Sequence, residues 1–171
     1  MIQPLIVDTP YPTIDDVVKD YKTAKIISEG YARSHSELSS SLQYLYFSFN
    51  FYRLKDTKSY NLIESIRLAE QKHLQMLGKL LIQLGIDPIF TELPPFKCDY
   101  YTTASLTYSK TATKMIKDAI LLEMTQIAEY KAMLMQIENE SVKKVLERIV
   151  LDEELHLSHL KQRQKKILIK T

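Results

Sequence analysis

Four long stretches of this chain repeat apolar residues at three- and four-residue steps, the period of a helix with one buried face. The first runs from the 20s to Leu54, with periodicity already starting near Thr13–Asp16. The second, from about Ser59 to Leu84, places Ile63, Ile66, Leu77, Leu80 and Leu84 on one stripe. The third spans about Thr111 to Ile137, and the fourth runs to about Leu168 with Val142, Val145, Ile149 and Leu160 aligned. Lys55–Lys58 and Glu138–Ser141 are short polar links, the second offering Ser141 as a helix N-cap. Gly85 followed by Pro88 is a helix stop, because glycine accepts the left-handed C-terminal conformation and proline prevents continuation. Residues 86 to about 109 form the longest connection, and residues 1–20, with Pro4, Pro10 and Pro12, are predicted to be an irregular arm before a helical domain over 21–171.

The order short link, long link, short link predicts two antiparallel helical hairpins joined by a crossover. The predicted fold is therefore all-α, a four-helix bundle. A chain of 171 residues suits one domain with a sizeable core. The formal charge of +2 removes any bulk drive toward nucleic acid, and Lys161, Arg163, Lys165, Lys166 and Lys170 read as solvated last turns that suit the helix dipole. A single cysteine, Cys98, excludes an internal disulfide and a CxxC site, and therefore a thiolate-held electron-transfer centre in this chain. No apolar run reaches the ~18 residues of a membrane span, and the N-terminus lacks the pattern of a signal peptide. A soluble cytoplasmic protein is expected.

Acidic residues interrupt the apolar stripes where leucine would be expected. The second helix carries Glu70 and His73 on its seam, and the fourth carries Glu153 and His156. Residues three apart share a helix face, so in each E-x-x-H pair the carboxylate and the imidazole point the same way. An unpaired carboxylate in such a seam would cost several kcal/mol, which metal coordination offsets. The other two helices each carry a glutamate followed two turns later by a tyrosine on the same stripe, Glu37 with Tyr44 and Glu123 with Tyr130. Glu37 and Glu70 are 33 residues apart, Glu123 and Glu153 are 30 apart, and the hairpins read as an internal repeat.

One glutamate from each of two helices plus Glu-x-x-His from each of the other two is the ligand pattern of di-iron and di-manganese carboxylate bundles. From about Tyr21 to Lys165 the sequence resembles the ferritin-like superfamily. The segments "ELSSSLQYLY", "AEQKHLQMLGKLLIQLGIDP" and "LERIVLDEELHLSHL" are similar to stretches of its rubrerythrin and manganese-catalase branches. The resemblance implies a ferritin-like bundle holding two iron or manganese ions through Glu37, Glu70, His73, Glu123, Glu153 and His156. Glu37 and Glu123 would be terminal or bridging ligands. It implies redox chemistry on hydrogen peroxide or dioxygen, with an external electron donor if the activity is that of a peroxidase. Iron oxidation and storage, or a structural role as in spore-coat proteins, are the alternatives. Gln126 stands where rubrerythrins carry a further glutamate, and no cysteine-ligated iron domain is present. A carboxylate at Asp152 would take the outer N–H of His73.

Tyr44 and Tyr130 are expected to donate hydrogen bonds to ligand carboxylates. His35 and His159 are expected to be non-ligands, Cys98 inert, and Glu64, Glu129, Glu147 and Glu154 surface residues. The first helix is apolar on too many sides for one core, with Leu38, Leu42, Leu45, Tyr46, Phe47, Phe49 and Tyr52. Cover by Phe90, Phe96, Tyr100 and Tyr101 of the crossover, or a homodimer, would accommodate the excess.

Overall fold

The computed structural model describes residues 1–93 and 97–169. Five α-helices follow one another: α1 (Tyr21–Ala32), α2 (Glu37–Arg53), α3 (Thr57–Gln83), α4 (Ala112–Leu134) and α5 (Glu140–Leu168). α2 pairs with α3 and α4 with α5 as the two hairpins. The crossover carries a short antiparallel ribbon, β1 (Thr91–Leu93) against β2 (Lys97–Tyr100), and one 3-10 turn at Thr103–Ser105. None of the helices is long and apolar enough to cross a membrane.

The first helix of the sequence reading is in fact two. Periodicity at Thr13–Asp16 produces no helix; α1 begins at Tyr21, where Asp20 accepts the Lys22 and Thr23 amides. It ends at Ala32, and His35 takes a left-handed backbone with φ 62. Ser36 then caps α2 by accepting the Ser39 amide, while the Ser39 hydroxyl donates to the Arg33 carbonyl at 2.7 Å. Polar residues at 34 to 36 thus offer the backbone local partners that compete with helix continuation. The break leaves Glu37 at the first position of α2, where the helix dipole favours a carboxylate. The cap of α5 is Asn139 rather than Ser141: its side chain accepts the amides of Ser141 and Val142. Gly85 ends α3 as expected, with φ 92 and its neighbour Ile86 bonding back to Leu81.

Two apolar clusters fill the bundle. One gathers Ile27, Tyr31, Leu77, Leu80, Leu84, Val142, Val145 and Ile149 with α1 packed across that end; the other gathers Phe47, Phe51, Ile63, Ile66, Met115, Ile116 and Leu160. The E-x-x-H turns of α3 and α5 lie between them in sequence. Gly30 of α1 is where Tyr130 passes: a Cβ there would meet the tyrosine ring at 3.1 Å.

The crossover covers part of the surplus apolar face of α2. Thr107 and Gln43 exchange hydrogen bonds, Tyr108 packs edge-on against Tyr46 at 5.0 Å, and the Tyr101 and Ser39 hydroxyls meet at 3.1 Å. Phe90 stacks on Tyr31. Phe96 lies outside the described residues, as do the side chains of Cys98 and Tyr100. Phe49 and Tyr52 remain 61% and 76% exposed. Glu64 differs from the surface reading: it is partly buried, with both oxygens bonded to Arg67.

At the far end Asp56 ties α3 and α5 together. It caps α3 through the Ser59 amide and hydroxyl, and it takes Arg163 of α5 at 2.7 Å on both oxygens. Burial alone would raise its pKa, yet Ser59 and Arg163 hold it below the usual carboxylate range. Its stabilisation is therefore present above the unfolded pKa of about 3.9 and is lost as pH falls through the lower folded value. Asp56→Ala should cost about 1–3 kcal/mol in urea unfolding at pH 7. That difference from the parent should shrink below about pH 4; a pH-independent difference would contradict the assigned pairing.

Candidate metal centre

Each long helix delivers charged groups to one level of the bundle. Glu37 enters from the first turn of α2, Glu70 and His73 from mid-α3, Glu123 from mid-α4, and Glu153 and His156 from mid-α5; all six are 0% exposed. Their donor atoms fall into two groups of four. Glu37, Glu70, His73 and Glu153 form one, Glu70, Glu123, Glu153 and His156 the other, and within each group the ligand atoms lie within 4.8 Å of one another. Glu70 and Glu153 belong to both groups. Glu37 and Glu123 each belong to one group only. His35 and His159 fall outside both groups.

The imidazoles are oriented from behind. Nδ1 of His73 lies 3.0 Å from Glu153 and 3.4 Å from Glu37, and Nδ1 of His156 lies 3.2 Å from Glu70 and 3.3 Å from Glu123. The opposite nitrogens face outward, His73 Nε2 to Asp152 Oδ2 at 3.1 Å and His156 Nε2 to the Leu5 carbonyl at 2.8 Å. A proton on each Nε2 satisfies those acceptors and leaves both Nδ1 lone pairs aimed at the centre. The two rings stack with centroids 6.0 Å apart.

The tyrosines brace Glu37 and Glu123 across the bundle rather than along their own helices. Tyr44 of α2 donates to Glu123 of α4, and Tyr130 of α4 donates to Glu37 of α2. Burial first, and then the facing carboxylates, push both phenols well above their ordinary pKa, so each keeps its proton to donate.

The unpaired atoms are distributed unevenly. Oε1 of Glu37 and of Glu123 receives a tyrosine, while Oε2 of each, both oxygens of Glu70, Oε1 of Glu153 and Nδ1 of His73 are buried without a hydrogen bond. An unmet buried acceptor costs about 1–3 kcal/mol. In the absence of cations, protons and imidazolium charge must take up the excess. Burial, then the charges of Glu153 and Glu37, drives the Glu70 carboxyl well up; burial and Glu153 push Glu123 to about 8. Against the lowering effect of burial, the surrounding carboxylates raise both histidines, Glu37 leading for His73 and Glu123 for His156. Burial would raise Glu153 too, but the bond to His156 and the nearby His73 imidazole keep it low. Four buried carboxylates and two imidazoles with inward lone pairs fit two hard-to-borderline cations such as iron or manganese.

Four contributors were not foreseen from sequence. Residues of the N-terminal arm lie along α3 and α5: the Leu5 amide donates to the Ser65 carbonyl, the Val7 amide to Asp152 Oδ1 at 2.7 Å, and the Tyr11 hydroxyl to Asp152 Oδ2 at 2.5 Å. Arg148 donates to the Val7 and Thr9 carbonyls, approaches Asp152 at 2.7 Å, and lies 4.3 Å over the Tyr11 ring. Asp152 is thereby held at about 2, burial notwithstanding, by bonds from His73, Tyr11, Arg148 and Val7. The spacing of Arg148 four residues before Asp152 was a legible signal; nothing in the proline-rich arm pointed to the site. Gln126 is buried beside Glu123's helix turn with both amide atoms unpartnered.

No curated protein matches the chain in sequence at a significant level. Among solved structures, wild-type KatB, a manganese catalase from Anabaena, superposes with a TM-score of 0.81 at 17% identity over 94% of this chain and 79% of that one. KatB of Anabaena PCC7120 gives 0.78 at 16% identity, with the same coverage. At such identities the likeness speaks for the fold. The sequence model of the ferritin-like domain matches residues 32–167, most of the chain. The hairpin repeat, the crossover and the buried carboxylate–histidine cluster agree with that match: this chain belongs to the ferritin-like domain family.

Proposed function

We propose that the protein is a dinuclear non-haem metal redox protein whose substrate is hydrogen peroxide. Glu37, Glu70, His73, Glu123, Glu153 and His156 would hold two manganese or iron ions, and the activity would be that of a catalase. The observation that carries this reading is the division of labour among buried atoms. The outward-facing nitrogens of both histidines and one oxygen each of Glu37 and Glu123 have partners in tyrosine, aspartate or backbone, whereas six of the inward-facing atoms are unpaired acceptors and only His156 Nδ1 and Glu153 Oε2 bond one another. That polarity is what a pair of cations requires and what a set of mutually bonded polar residues would lack.

A bound pair of redox-active ions supplies electron exchange with the O–O bond of the substrate. The chain's own side chains set the conditions for it. Glu70 and Glu153, common to both ligand groups, would keep the ions close together. Tyr44 and Tyr130 each occupy one oxygen of a terminal carboxylate and so restrict its rotation. The apolar clusters exclude bulk water and keep the electrostatic interactions at the centre strong. Peroxide is favoured over dioxygen by the likeness to a manganese catalase and by economy of electrons. Peroxide disproportionation needs no external donor, and this chain has one cysteine and so no thiolate centre of its own to receive electrons.

Protein from its native host should contain about two ions per chain, one for each four-ligand group, and should release oxygen from peroxide without added reductant. Metal analysis combined with an oxygen electrode checks both. Bound metal without oxygen release, together with a shell-sized assembly in light scattering, would transfer the assignment to iron oxidation and storage. A homodimer is proposed on the exposed Phe49 and Tyr52 of α2, and sedimentation showing a monomer at micromolar concentration would remove it.

Replacing Glu70 and Glu153 together by alanine should abolish metal binding while circular dichroism stays helical. Full metal stoichiometry in that variant would sink the ligand assignment.

Tyr44→Phe and Tyr130→Phe each delete one donor and little volume. Each removes a bond to a charged acceptor worth about 1.5–3 kcal/mol, leaving the carboxylate freer and more basic. Both variants should retain metal, alter peroxide turnover and resemble each other, because the bracing is reciprocal. Unchanged kinetics and metal spectra in both would reduce the tyrosines to packing residues.

A further inference from the structure

We propose that the N-terminal arm is a metal-coupled strap: residues 5–11 position both histidines from outside the bundle, with Tyr11 as the positioning side chain, and metal binding in turn fastens the arm. This rests on the reading of the six buried side chains as ligands. The helices alone supply every inward-facing donor, but the Nε2 of His156 finds its acceptor only in the arm, at the Leu5 carbonyl. His73 depends on the arm at one remove. Its acceptor Asp152 is itself held by the Val7 amide on one oxygen and the Tyr11 hydroxyl on the other. Arg148 closes the arrangement by taking the Val7 and Thr9 carbonyls while lying over the Tyr11 ring. Both imidazoles thus have their outer edges fixed by one stretch of chain without regular secondary structure.

The coupling follows from linkage. An ion at each Nδ1 fixes the ring and its Nε2–H direction, which strengthens the bonds to Leu5 and Asp152. Whatever fastens the arm must by the same free energy favour the ion. The arm is also the element best suited to open. The six ligand side chains are 0% exposed, so an incoming ion needs some part of the structure to move aside. A segment held by a few hydrogen bonds opens at lower cost than a helix of the bundle.

The test uses the full chain and its Tyr11→Phe variant. Amide hydrogen exchange of residues 5–11 is followed with and without saturating Mn(II), with the Val7 amide as the principal reporter. Metal affinity is measured by titration. The expected result is exchange at Val7 slowed on the order of tenfold by metal and a dissociation constant raised on the order of tenfold in Tyr11→Phe. Helicity should be unchanged. Metal binding with no change in exchange across 5–11, or an affinity equal in the two proteins, would overturn the strap and leave the metal centre standing. Failure of the intact chain to bind Mn(II) or Fe(II) at all would overturn both. A Tyr11→Phe variant that loses helicity would mark Tyr11 as a folding residue; the exchange comparison in the parent chain then decides the coupling.

Discussion

Everything in this structure is arranged around the burial of four carboxylates and two imidazoles at zero exposure in the middle of a helical bundle. Isolated, each ionised group would be expelled by its desolvation cost. Together they form a cluster that protons alone satisfy poorly. Glu70 and Glu123 are driven toward their neutral forms while both histidines are drawn toward their charged forms. A site that can be made neutral only by such compromises is one that divalent ions would satisfy better, and the inward-facing unpaired oxygens are compatible with that.

The rest of the fold supports that centre by fixing its outer edges. Tyr44 and Tyr130 cross between α2 and α4, so the two hairpins are braced through the buried carboxylates of Glu123 and Glu37. Gly30 makes room for one of these phenols beneath α1. Apolar clusters on either side keep water away, and Asp56 with Arg163 closes the far end of the α3–α5 pair. The break between α1 and α2 serves the same purpose. By starting a new helix at Glu37, the chain delivers that carboxylate to the cluster from the first turn of α2.

The pseudo-symmetry of the hairpins is incomplete, and the asymmetry is instructive. Each half contributes a glutamate, a tyrosine and an E-x-x-H pair, yet His73 is backed by a carboxylate tied to an arginine, while His156 is backed by a main-chain carbonyl. Two groups with the same residue types thus have unlike surroundings, and the difference lies mainly in how the arm crosses α3 and α5.

The sequence by itself determined the helical architecture and the six-residue cluster. Both are written in local periodicity: an acidic residue on an apolar stripe is visible without knowing what faces it, and Glu70–His73 and Glu153–His156 share a face because helical geometry requires it. Gly85 as a stop and Asp152 behind His73 were legible for the same reason or by resemblance. Tertiary structure alone decided that Glu70 and Glu153 belong to both four-residue groups, because that membership depends on distances between helices. It also decided which carboxylate each tyrosine meets, Glu123 for Tyr44 and Glu37 for Tyr130, each on the opposite helix. It revealed the interruption at residues 33 to 36, where serine side chains and a left-handed histidine outweighed an apolar period that continued across them. And it brought Leu5, Val7 and Tyr11 to the centre, which no periodicity could announce. An irregular arm has no repeating face, and its hydrogen bonds span more than 140 residues of sequence.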